Sequence, residues 1–158
     1  MAGVGLSLGL AGAAKALPAP RLGWVQLQRP ADPYDPKAKA DQVIAQAQAR
    51  AKAAGKRLLI DMGGNWCADC IVLTAVMNLP QARAFIDQHF EVVTVDVGQF
   101  DKNLQIPARF KVQLKAVPCV VVLDTQGRVV NQGQELALGS AASLSPQAVL
   151  DQLAAWAS

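Results

Sequence analysis

Two hydrophobic periods alternate along this chain and divide it into elements. An Asp35-Pro36 pair, residues suited to an N-cap and a first helical position, opens an Ala- and Gln-rich run that ends at Gly55. Its apolar positions Val43, Ile44, Ala47 and Ala51 fall on one helical stripe, and Gly55 suits a left-handed C-cap. "RLLIDM", 57–62, is a short apolar run without helical spacing and predicts a buried strand. The helical period returns at Ala68–Asn78 through Ile71, Val72, Ala75 and Val76, and Pro80 starts another helix to about Gln88. "FEVVTVDV", 90–97, is β-branched and reads as a strand. Residues 98–116 are irregular, with a short helix expected around "IPARFKV". "CVVVLD" and "GRVVNQ" flank Thr125-Gln126-Gly127 and predict a hairpin, and Ser145-Pro146 opens a last helix to about Trp156. A strand–helix–strand unit followed by an antiparallel hairpin gives an α/β fold: a central mixed sheet flanked by helices.

Composition adds bounds to this plan. With 158 residues, 52% hydrophobic and 17% charged, the chain is one well-cored unit and not a disordered one. The net charge of +3 is small. Lys37, Lys39, Arg50, Lys52, Lys56 and Arg57 surround a single Asp41, but no aromatics are interleaved, so the cluster reads as a solvated helix face and no nucleic-acid partner is expected. Pro18, Pro20, Pro30 and Pro33 make 17–34 a proline-rich arm. Ahead of it, "MAGVGLSLGLAGAAKA" is uncharged over its first fourteen side chains and ends in Ala14-Lys15-Ala16. It is too short for a bilayer span, which needs ~20 apolar residues. Residues 1–16 therefore read as a signal peptide-like segment, although the basic residues expected before the apolar run are missing. The expectation is a periplasmic or secreted protein, not a transmembrane one, with the cytoplasm as the alternative.

Chemistry enters at "GGNWCADCIVL", 63–73. Cys67 stands at the junction of the first strand's loop and the following helix, where free N–H groups and the positive end of the helix dipole favour a thiolate. Cys70 is one turn deeper on the same face, within reach of a small disulfide ring. That asymmetry suits dithiol exchange: Cys67 attacks a disulfide and Cys70 resolves the mixed disulfide. Asp61 lies inside an apolar strand, where a carboxylate is expensive without a task, and Val117-Pro118 opens another strand, where proline is unusual. Cys119, next on that strand, should alternate away from the pair as a buried free thiol.

These residues resemble the thioredoxin-fold family from about residue 40 to 157, making 35–158 a thioredoxin-like domain with an N-terminal helical extension. Trp66-Cys67-Ala68-Asp69-Cys70 matches the family's W-C-x-x-C redox-active centre. The resemblance implies that Asp61 is the buried aspartate relaying a proton for the inner cysteine. It also implies that Val117-Pro118 is the cis-proline dipeptide that presents backbone to the substrate, with Trp66 beside it. "GNWCADC", "HFEVVTVDVGQFDKN" and "GQELA" are similar to bacterial envelope disulfide isomerases or reductases and to the C-terminal domain of DsbD. The implied activity is that of a thiol–disulfide oxidoreductase acting on protein thiols and disulfides, needing no cofactor but its own dithiol, and recharged by a membrane or soluble electron donor. Three positions depart from thioredoxin: the inner pair is Ala-Asp, Ala75 stands where a proline interrupts the active-site helix, and Gly63 replaces a tryptophan.

Other readings of the same residues are a structural disulfide, a zinc site of Cys67, Cys70, Cys119 and His89, and a copper metallochaperone whose thiols hold Cu(I). The disulfide ring is too short to constrain the unfolded chain much. The zinc set lacks a second close-spaced ligand pair, and no Met or His cluster accompanies the copper reading. Asp61 as a plain strand-end residue, Trp66 as packing, and the "GQELALGSAAS" loop as either solvent loop or groove lip complete the alternatives.

Overall fold

The computed structural model describes residues 17–158. The signal-like segment 1–16 lies outside them. Helix α1 spans Ala40–Ala54 and ends in Gly55 at φ 65°, the left-handed cap its sequence predicts. Strand β1, Arg57–Gly63, leads into α2, Ala68–Met77, and then α3, Pro80–His89. Strand β2, Phe90–Asp96, is followed by the short α4, Gln105–Arg109, strand β3, Cys119–Leu123, a 3-10 turn at Ala141–Ser143, and α5, Pro146–Ala155. Ser145 caps α5 by accepting a hydrogen bond from the Ala148 N–H at 3.1 Å.

The sheet order is β2-β1-β3, with β1 parallel to β2 and antiparallel to β3. Burial is nearly complete along β1 and β3 because helices cover both faces. Alternation divides the side chains: Leu59, Val120 and Val122 pack with α2, α3 and α5, whereas Leu58, Ile60, Val121 and Leu123 pack with α1 and Ile106 of α4. Arg109 of α4 also pairs with Asp41 of α1 on the outside. Among the described residues, no helix is long and apolar enough to cross a membrane.

Two expectations are corrected. Helix α1 starts at Ala40, not Pro36: the Asp35 carboxylate accepts from the Lys37 N–H at 2.9 Å and so caps one isolated turn. Val43 is accordingly only half-buried, and Ala40 joins Ile44, Ala47 and Ala51 in the stripe. The second arm of the hairpin is also not a strand, since 128–132 pairs with β3 only through an isolated bridge of Leu123 with Val129. The side chain of buried Asn131 takes over the ladder, its Oδ1 accepting from the Val122 N–H at 2.9 Å and its Nδ2 donating to the Val120 carbonyl at 2.8 Å. Asparagine's amide has both a donor and an acceptor, so it can replace a backbone peptide in this way.

The proline-rich arm has no helix or strand, yet it is bound closely to the domain. Leu22 is buried in the α2–α3–α5 layer, and Gln147 of α5 accepts from the Leu22 N–H at 2.9 Å and donates to the Pro20 carbonyl at 3.1 Å. Farther along, the Thr94 hydroxyl of β2 donates to the Pro33 carbonyl at 3.2 Å, and Tyr34 is fully buried in the other layer. The arm therefore passes the β2 edge and delivers a side chain to the far side of the sheet.

Candidate active site

The site forms where β1 ends and α2 begins. Cys67 is the N-cap of α2, with φ −93° and ψ 113°, and its sulfur accepts from the Cys70 N–H at 3.2 Å. This is the contact a Ser or Asp side chain usually makes, so the first turn is built around the sulfur. On its other side the Cys67 Sγ approaches the Val117 carbonyl oxygen at 3.6 Å. The Val117-Pro118 peptide is cis, and Val117 is buried. All three cysteines are free thiols. Cys70 is fully buried, and burial, with Cys67 and Asp61 nearby, pushes its thiol pKa well up. Thr74, a turn further on, donates its hydroxyl to the Cys70 carbonyl at 3.2 Å.

Asp61 is fully buried, which fits neither an ordinary strand-end residue nor a solvated carboxylate. Its Oδ2 accepts from the Tyr34 hydroxyl at 2.8 Å, while Oδ1 has no partner. Desolvation pushes its pKa up to about 7, and the Tyr34 hydrogen bond pulls the other way. Tyr34 and the Cys70 sulfur lie side by side over Gly63, and burial drives the tyrosine's own pKa far upward. Asn65 fixes the arm at this point, accepting from the Tyr34 N–H at 2.9 Å and donating to the Tyr34 carbonyl at 2.8 Å. Tyr34 escaped the sequence reading because it lies in the proline-rich arm. Its signal was rarity, as the chain's one tyrosine.

Both glycines of "GGN" are explained by close approach. A Cβ on Gly63 would stand 2.7 Å from the Cys70 sulfur and 2.8 Å from the Tyr34 Cζ and Oη. On Gly64 it would stand 2.6 Å from the Trp66 Nε1. Gly63→Ala should therefore lower stability by about 1–3 kcal/mol, as overpacking does, and slow thiol exchange with it. Urea melts of the variant test this, and an unchanged midpoint would mean that the Cys70–Tyr34 contact is looser than the structure shows.

Trp66 is 53% exposed and lies over the loop after β2, donating its indole N–H to the Gly98 carbonyl at 2.8 Å. The loop is held by Asp96, whose Oδ1 accepts from the Gly98 N–H at 2.8 Å and whose Oδ2 pairs with Lys102 at 3.1 Å. Phe100, at φ 64° and 39% exposed, stands 6.1 Å from Trp66 between ring centroids and extends its apolar surface. Phe100 was also missed, because its place beside Trp66 depends on the loop and not on spacing.

Other expectations separate. Cys119 is buried and its pKa is pushed up to about 12, chiefly by desolvation. It is a free thiol in the layer of Val121 and Leu123 against α1 and Ile106, a buried strand cysteine as its place after Pro118 predicts. His89 ends α3, its ring centroid 4.5 Å from that of Phe85 with the two planes tilted by 49°. Among the described residues, no three His, Cys, Asp or Glu side chains are grouped to hold a metal ion. The "GQELALGSAAS" loop buries Leu138 and Ala141, and its Ala142 N–H donates to the Asp69 Oδ1 at 2.9 Å.

The thioredoxin-like family matches residues 39–125. With 35% identity, the fold is similar to that of the disulphide isomerase from Xylella fastidiosa Temecula1, covering 77% of this chain and 94% of the other at a TM-score of 0.73. The chain belongs to the thioredoxin-like family. Similarity extends to the DsbD C-terminal domain of Neisseria meningitidis in its oxidised form, at 18% identity, 58% and 79% coverage and a TM-score of 0.46. A thioredoxin from Wuchereria bancrofti is 19% identical over 68% of this chain and 86% of its own, with a TM-score of 0.41. No curated protein matches the chain. Within this thioredoxin-like protein, Asp69 of the Ala-Asp inner pair ties α2 to the loop before α5. The space over Gly63 is filled by the ring of Tyr34.

Proposed function

We propose that this protein is a protein-disulfide reductase or isomerase of the cell envelope, working through the Cys67–Cys70 dithiol. One arrangement carries the reading: the Cys67 sulfur caps α2 beside the Val117 carbonyl, while Cys70 lies buried against Tyr34 and near Asp61. Cys67 is the attacking sulfur. Cys70 is the resolving one, held protonated by burial until a base takes its proton. Asp61 is that base, because a carboxyl titrating near neutrality can both accept and return a proton. A substrate chain lies along Val117 and Pro118, with Trp66 covering the mixed disulfide. The similarity to a disulphide isomerase at 35% identity supports the reaction class. The dithiol is itself the redox group, so no further cofactor enters the cycle. In an oxidising envelope a membrane or soluble electron donor recharges it.

Direction follows from charge. A strong oxidant must stabilise its reduced thiolate. Here Asp69 sits in the first turn of α2, and the hydrogen-bond partners found for the Cys67 sulfur, among the described residues, are one N–H and one carbonyl. Equilibration with glutathione buffers should give a potential nearer the ~−270 mV of thioredoxin than the ~−120 mV of DsbA, and the dithiol form should precipitate insulin. A potential close to that of DsbA would assign oxidation in place of reduction, and no insulin reduction at all would sink the reading.

A further inference from the structure

We propose that Tyr34, carried by the N-terminal arm, is a catalytic residue of the dithiol site, its hydroxyl relaying the Cys70 proton to Asp61. The proposal rests on the dithiol reading and adds a residue outside the W-C-x-x-C helix. Three observations carry it. The Tyr34 hydroxyl donates to the Asp61 Oδ2 at 2.8 Å, and the same oxygen stands beside the buried Cys70 sulfur where both crowd Gly63. Tyr34 Oη and Cys70 Sγ converge on one point, 2.8 and 2.7 Å from a Cβ built on Gly63, and a side chain there would drive them apart. Asn65, two residues before Cys67, grips both the N–H and the carbonyl of Tyr34, so the loop that presents the nucleophile also sets the tyrosine.

The polarity is right for a relay. With Asp61 ionised, the tyrosine spends its single proton on the carboxylate, leaving its lone pairs to face the Cys70 S–H. In the resolving step the Cys70 sulfur attacks Cys67. The Cys67–Cys70 bond forms, the bond from Cys67 to the substrate sulfur breaks, and that sulfur leaves as a thiolate. Two electrons pass from the cysteine pair to the substrate disulfide. The Cys70 proton moves to the Tyr34 oxygen as the tyrosine's own proton moves to Asp61, so the phenol ends the step as it began. Its pKa is driven far up by burial, which keeps it a conduit and never a base. The titratable groups facing Asp61 are Tyr34 from the arm, Cys70 from α2 and Cys119 from β3; its β2 partner Thr94 does not titrate.

Reaction of the reduced full chain with dithiobis(nitrobenzoate) separates the steps, since attack by Cys67 releases one chromophoric thiolate and resolution by Cys70 releases a second. Tyr34→Phe keeps the ring over Gly63 and removes only the hydroxyl. It should leave the first phase within about twofold and slow the second by up to ~10²-fold, the lower range of general acid–base effects. The pH midpoint of the second phase should move alkaline, because the lost hydrogen bond is one that lowers the Asp61 pKa. Asp61→Asn combined with Tyr34→Phe should be no slower than Asp61→Asn alone, as expected of two groups on one path. Asn65→Ala, which keeps the hydroxyl but frees the arm backbone, should slow the second phase in the same sense. An unchanged second phase and pH midpoint in both Tyr34→Phe and Asn65→Ala, or additive effects in the double variant, would overturn the relay. Absence of a second thiolate from the parent protein would instead overturn the dithiol reading, and the relay with it.

Discussion

Cys67→Ser should reduce disulfide exchange to the buffer background, whereas Cys70→Ser should accumulate covalent mixed disulfides with substrate. The two substitutions differ because the sulfurs do. Cys67 occupies the N-cap, meets the Val117 carbonyl and keeps 6% of its surface exposed, while Cys70 is fully enclosed with its pKa pushed up. Only the first can reach a substrate disulfide, and only the second is placed to release it. Serine is itself a preferred N-cap, so Cys67→Ser should keep the α2 start and the melting temperature close to the parent's. Loss of activity then reports chemistry and not folding. Mass mapping of the reduced protein after brief alkylation should find Cys67 modified before Cys70 and before Cys119. Modification of Cys70 first would reverse the roles.

Asp61→Asn should change stability in opposite directions at low and high pH. In the folded chain the carboxyl titrates at about 7, against an ordinary value of 3.8. Below about pH 4 both folded and unfolded chains hold the proton, and the carboxyl then carries no ionisation penalty. As pH rises from about 4 toward 7, the unfolded chain releases the proton while the folded chain keeps it, so stability falls. Above the folded value the loss levels off on the order of 4 kcal/mol, because proton affinity differs about a thousandfold between the two states and each tenfold is worth ~1.4 kcal/mol. Asparagine cannot ionise, but it places two N–H donors at the partnerless Oδ1 position where the protonated acid places one O–H, and the extra orphan donor costs about 1–3 kcal/mol. The variant should therefore be less stable than the parent at pH 4 and more stable at pH 8. It should also resolve mixed disulfides more slowly. Urea unfolding at the two pH values decides the stability claim; a variant weaker at both would mean that the carboxylate is better solvated than its burial implies.

Much of this was legible in the sequence because it is local. Cys67 and Cys70 are three residues apart, and a helix start after a buried strand makes their inequality a matter of cap geometry. Asp61 was visible as a charge inside "RLLIDM", since any continuous apolar strand makes one carboxylate conspicuous. Elements bounded by their own caps, such as α5 from Ser145-Pro146, were legible for the same reason.

Errors arose where a local signal had a second possible use. Asp35 could cap a helix or a single turn, and it caps the turn. "GRVVNQ" could pair as a strand, but the Asn131 side chain makes the hydrogen bonds that a strand backbone would have made. Both choices are set by neighbours distant in sequence, which propensity does not register.

The sequence by itself determined the α/β order, the buried strands and a dithiol at a helix start, because hydrophobic period, capping residues and cysteine spacing act within a few residues. Tertiary structure alone decided that Tyr34 meets Asp61 across 27 positions and that Phe100 joins Trp66. Those contacts depend on the path of the arm and the fold of one loop. They exist only once the whole chain has closed around the site.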